Sequence, residues 1–70
     1  MENNLKAWRE QKGLSQQQVA DLFRIKYGKS TVSQQHISSW ERGAKTPSIE
    51  NAFILAEIYN CTVHDLFELE

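Results

Sequence analysis

The chain has one cysteine, Cys61, one proline, Pro47, and three glycines among its 70 residues. A lone thiol cannot close an internal disulfide, so nothing here asks for an oxidising compartment. With so few breakers, and no segment alternating apolar and polar residues with period two, a sheet-built fold is excluded and helices remain. No apolar run approaches the roughly 18 residues of a membrane span, so no membrane partner is expected. The opening "MENNLKAWRE" has neither the apolar stretch nor the cleavage site of a secretion signal. Missing too are a glycine-rich phosphate loop and any pair of residues at metal-ligand spacing. His36, His64 and Cys61 do not form a nucleophile–base set. The sequence therefore gives no reason to expect an enzyme, a cofactor, a metal or a small-molecule ligand, and a reducing cytoplasm is the expected setting.

Charge is scarce in net terms, at −1, but it is not evenly spread. Between residues 24 and 45 lie Arg24, Lys26, Lys29, Arg42 and Lys45 against Glu41 alone. From residue 46 onward come Glu50, Glu57, Asp65, Glu68 and Glu70 with no base. A basic middle on an acidic body gives an oriented field, and the basic third is the side a polyanion would meet.

What is present reads as one all-α domain over residues 1–70, with five helices. Leu5 and Trp8 lie one turn apart, and Gly13 follows a basic last turn, giving a first helix with a glycine stop. "SQQQ" opens the second, with Ser15 and Gln18 as a capping box; Val19, Ala20, Phe23 and Tyr27 form its buried stripe up to Gly28. Ser33 opens the third, in which Ile37 and Trp40 face inward and Gly43 ends the run. "KTPS" starts the fourth, with Pro47 placed in its first turn and Ile49, Ala52, Phe53, Ala56 and Tyr59 on its inner face. Asn60 suits a left-handed cap. Thr62 and Asp65 cap the fifth, whose Val63, Leu66 and Phe67 complete the core.

The third helix carries the functional signal. At about 100° per residue, Gln35, Ser38, Ser39 and Arg42 point away from Ile37 and Trp40, and Gln34 projects from the front of the first turn. An ordinary solvated face would be stocked with Glu and Lys. Short amides and hydroxyls suit the DNA major groove instead. An amide pairs with adenine by donating to N7 and accepting from the exocyclic amine, and small serines let the backbone approach base edges. Ser33 begins this helix, and Ser15 and Gln16 begin the second; the free N–H groups at such starts suit phosphate. His36, beside Gln35, is placed to pack or to touch phosphate. The other reading of the same face is a protein-interaction surface on the same fold, with no DNA.

Three stretches, "LKAWREQKGLSQQQVADLF", "VSQQHISSWERGAKTPS" and "AFILAEIYNCTVHDLF", carry a resemblance. From Leu5 to Phe67 the chain resembles the phage repressor/Cro-type (XRE-like) helix-turn-helix family, whose fold is the five-helix lambda-repressor-like domain. The resemblance implies a cytoplasmic, bacterial or phage-encoded transcriptional regulator, with repression as the default. It implies base contacts from Gln34, Gln35 and Ser39, and phosphate contacts from Gln16, Arg42 and Lys45. It also implies an ion pair between Arg9 and Glu41. The departure is the turn between the second and third helices, where "RIKYGKS", Arg24 to Ser30, adds seven residues. A connection of this length is similar to that of the POU-specific domain. The insertion is expected to extend the second helix by a turn, and its bases Arg24, Lys26 and Lys29 to reach phosphate.

One reading helix spans only a few base pairs, so a homodimer on a two-fold double-stranded operator is expected. Ile54 and Ile58, taken as partners on the outer side of the fourth helix, and Leu69 beyond the fifth are the expected dimer patch.

Overall fold

Five helices follow one another in a computed structural model that describes residues 3–67: α1 (Leu5–Gln11), α2 (Gln16–Tyr27), α3 (Gln34–Glu41), α4 (Ile49–Tyr59) and α5 (Val63–Phe67). The described residues include no strand, and none of their helices is long and apolar enough to cross a membrane.

Local chemistry sets most of the boundaries. At the start of α2, Gln18 N–H donates to Ser15 Oγ at 3.0 Å, and Ser15 N–H donates to Gln18 Oε1 at 2.8 Å. This reciprocal pair satisfies two backbone donors that have no partner inside the helix. Thr62 and Asp65 repeat the arrangement at α5: Thr62 N–H donates to Asp65 Oδ2 at 3.0 Å, and Asp65 N–H to Thr62 Oγ1 at 3.1 Å. At the far end of α2, Gly28 is left-handed (φ 69°) and Lys29 N–H turns back to the Phe23 carbonyl at 2.8 Å. A side chain at that φ would be strained, so the glycine lets the chain leave the helix. Asn60 does the same after α4 with φ 55°. The expected extra turn of α2 is therefore there, running to Tyr27.

Two features of α4 differ from expectation. Pro47 does not lie in the first turn: Ser48 is the N-cap, its Oγ accepting from Asn51 N–H at 3.2 Å, and Pro47 sits buried one residue before it. With Ala52 also buried at the fourth helical position, this is the placement of a hydrophobic staple. The helix is also rotated from the expected setting. Ile49 and Phe53 are 75% and 60% exposed, whereas Ile54 is buried in the core. Ile58 is half-buried and packs against that core. Ile54 and Ile58 thus serve the interior rather than an outer patch, and Leu69 lies outside the described residues.

The core joins all five helices: Leu5 from α1, Val19, Ala20 and Phe23 from α2, Ile37 and Trp40 from α3, Ala52, Ile54, Leu55, Ala56 and Tyr59 from α4, Leu66 and Phe67 from α5. Val32, in the turn before α3, is buried with them. Phe23 and Trp40 meet with ring centroids 5.9 Å apart at 54°, a tilted contact that seats α3 on α2. The chain start is tied in as well. Asn3 Nδ2 donates to the Trp40 carbonyl at 2.8 Å, which also accepts from Gly43 N–H at 3.1 Å just past the end of α3. Asn4 N–H donates to the Leu66 carbonyl at 2.8 Å. These ties hold α3 by both its inner face and its far end, which leaves its front and outer face free.

Candidate nucleic-acid interface

Gln34, Gln35, Ser38, Ser39 and Arg42 line one shallow concavity of about 320 Å³ on the outer face of α3. Both glutamines are exposed, and the insertion does not cover them. The surface they form is polar and carries one charge, that of Arg42.

Behind this face lies an ordered polar chain. Arg9 Nε donates to Glu41 Oε2 at 2.6 Å and one terminal nitrogen to Glu41 Oε1 at 3.2 Å; another donates to the Leu14 carbonyl at 2.8 Å. The two side chains are 12% and 4% exposed, so the pair is largely dry. The hydrogen bond to Glu41 raises the pKa of Arg9 above its ordinary value, fixing the positive charge. Tyr59 is fully buried; burial, then the charge of Glu41, pushes its hydroxyl pKa up and keeps it neutral.

From Glu41 the chain continues outward. Gln16 Nε2 donates to Glu41 Oε1 at 3.0 Å, and Gln34 Nε2 donates to Gln16 Oε1 at 2.7 Å. A carboxylate only accepts, so Gln16 must turn its NH₂ toward Glu41. Its oxygen then faces Gln34, which must answer with its own NH₂. The orientation of an exposed amide is thereby dictated by a largely buried ion pair. Gln34 retains one N–H and its whole carbonyl, which is the donor and acceptor pair an adenine edge requires.

The first turn of α3 has a second fixed group. Ser33 N–H donates to His36 Nδ1 at 3.1 Å, and Ser33 Oγ lies 2.9 Å from the same nitrogen. Accepting from a backbone N–H requires Nδ1 to be bare, so the neutral ring carries its proton on Nε2 and presents a donor outward. Gln35, His36, Ser39 and Lys45 line a smaller polar hollow of about 130 Å³ on that flank. Ser15 and Gln16, at the start of α2, adjoin Gln34 through the Gln16 bond.

The insertion places its bases differently. Arg24 pairs with Asp21 at 3.2 Å. Lys26 lies over the Tyr27 ring, 5.6 Å from its centroid. Lys29 is bound by Glu50, linking the insertion to the first turn of α4. Its ammonium is thus engaged within the fold, which the sequence pattern did not foretell. The Gln16–Glu41 bond was missed as well; only the likeness of Gln16 to a phosphate-contacting position had marked that residue.

No curated protein matches the sequence. A helix-turn-helix family model matches residues 5–66, nearly the whole chain. With α2 and α3 packed as the two helices of the motif and the amide-bearing face of α3 outward, the chain belongs to the Cro/C1-type helix-turn-helix family of DNA-binding regulators.

Proposed function

We propose that the protein is a transcriptional repressor that occludes a two-fold operator as a homodimer, with α3 of each copy in the major groove. One observation carries this reading: the outer face of α3 is built of amides and hydroxyls, and the amide of Gln34 is held in one orientation by Gln16 and Glu41. A surface needed only for solubility has no use for a fixed amide dipole, whereas a base edge does. Gln34 and Gln35 read adenine. Ser15, Gln16, Ser33, His36 and Lys45 surround them with the N–H, hydroxyl and cationic donors that phosphates take. Lys29, engaged by Glu50, is left out of that set.

The second copy meets the outer face of α4. Ile49 and Phe53 are exposed and one turn apart, and a two-fold axis lets such a pair pack against its own image.

Enrichment of random duplexes on the purified protein tests the reading. The expected product is a two-fold site with adenines in each half, bound less tightly as salt rises. A protein that enriches no sequence, or binds without salt dependence, has another function.

A further inference from the structure

Arg42 is the one charged residue in the concavity, and its position does not suit a peripheral role. It follows Gln35 by seven residues, so at about 100° per residue the two share a direction within about 20°. Ile37 and Trp40, both buried, point to the other side of the helix. Across the width of the helix Arg42 therefore stands at the centre of the outer face, between the lines of Ser38 and Ser39, at the C-cap position just past Glu41. The resemblance implied a phosphate contact at its position, which would instead place it at the edge.

Helical side chains lean toward the N-terminus, and Arg42 does so. Its Nε donates to Ser38 Oγ and a terminal nitrogen to Ser39 Oγ, each at 3.4 Å. Bonds this long aim the group without locking it. They use Nε and one N–H of a terminal nitrogen, so the bonds found leave the other N–H groups of the two terminal nitrogens available. Among the described residues the ion pairs found use Arg9, Arg24 and Lys29, so no carboxylate competes for Arg42.

We infer that Arg42 is a specificity-determining residue that reads a guanine, with Ser38 and Ser39 as its positioning residues. Guanine alone offers two acceptors, O6 and N7, side by side in the major groove, matching two parallel N–H groups. Adenine replaces one acceptor with a donor that a guanidinium cannot satisfy. The operator half-site then holds a guanine in addition to the adenines read by Gln34 and Gln35. The inference rests on the proposed DNA-reading role of α3.

The test uses the full chain and the operator obtained by enrichment, with every base pair varied in turn. Wild type should prefer guanine at one position in each half by about 5- to 150-fold. Arg42→Ala should abolish the preference at that pair and keep it elsewhere. Arg42→Lys keeps the charge but not the fork, so it should weaken the same preference while retaining the salt slope. Putting 7-deazaguanine at that position removes one acceptor; it should weaken wild type and leave Arg42→Ala unaffected, a comparison that any loss of stability in the variant would not imitate. Uniform weakening on every operator by Arg42→Ala, with the slope flattened by about 0.9 and no preference lost, makes Arg42 a phosphate contact and overturns this inference alone. If wild type enriches no duplex at all, both this inference and the proposed function fall.

Discussion

Gln34 donates its amide to Gln16 Oε1 at 2.7 Å, so the first turns of α2 and α3 share a hydrogen bond across the motif. Because Gln16 in turn donates to Glu41, the polarity of the exposed amide is set from inside the fold. Gln16→Ala removes the relay but touches no core residue. Stability should change by less than about 1 kcal/mol, while preference for adenine at the base pair that Gln34 is proposed to read falls several-fold. Competition binding against operators altered at that pair measures it. An unchanged preference would mean Gln34 needs no orienting partner.

Glu41→Gln acts on the same chain from its inner end, with a different outcome. The carboxamide can both donate and accept, so Gln16 is no longer told which way to face. Arg9 is also left largely buried without its counter-charge. Breaking such a pair from one side costs roughly 3 kcal/mol, so urea unfolding should show a large loss of stability as well as a loss of base preference. A variant as stable as wild type would show that solvent reaches Arg9 freely.

The insertion offers a contrast between neighbours. Lys29 is bound to Glu50, whereas Lys26 has only the face of Tyr27 beneath it and its charge stays exposed. On the proposed reading, Lys26→Ala flattens the salt slope of DNA affinity by about 0.9 and Lys29→Ala leaves it unchanged. Titration of both variants at several salt concentrations decides whether the insertion touches DNA through Lys26.

Ser15 with Gln18, and Thr62 with Asp65, were legible in the sequence because a capping box is local: four residues contain both partners. Gly28 and Asn60 were legible for the same reason. The outward face of α3 was legible because only Ile37 and Trp40 are large and apolar there, which leaves one direction for the core. In α4 that criterion fails. Ile49, Ala52, Phe53, Ile54, Leu55, Ala56, Ile58 and Tyr59 surround the helix almost completely, so periodicity could not choose a buried side. Packing against α2 and α5 chose it instead, turning Ile49 and Phe53 out and Ile54 in. Pro47 was misplaced because proline is accepted both at the first helical position and just before the cap; the hydroxyl of Ser48 settles which. The Lys29–Glu50 and Gln16–Glu41 links join residues 21 and 25 positions apart, beyond anything local spacing can show.

The rotation of α4 separates two substitutions that look alike in the sequence. Phe53→Glu changes an exposed residue and should leave monomer stability within about 0.5 kcal/mol, while weakening the proposed dimer. Ile54→Glu buries an unpaired carboxylate in the core and should unfold much of the population. Sedimentation of Phe53→Glu beside wild type tests the interface. An unaltered dimer moves the contact to another surface, and a wild-type chain that is monomeric even on its operator removes it.

Asp65 gives the fold a pH dependence whose sign follows from its cap. Its carboxylate accepts from Thr62 N–H, and Thr62 holds its pKa below the ordinary 3.8, mainly through that backbone bond and then through the Thr62 side chain. The folded state thus favours the charged form more than the unfolded state does. The stabilisation is fully present above the unfolded value of about 3.9 and is lost as pH falls through the folded pKa beneath it. Asp65→Ala should therefore melt below wild type at neutral pH, with the gap closing only in strong acid. Every other carboxylate is common to both proteins, so the difference in Tm isolates Asp65. A gap that does not narrow in acid would mean the cap acts through packing at Thr62 rather than through the ionised carboxylate.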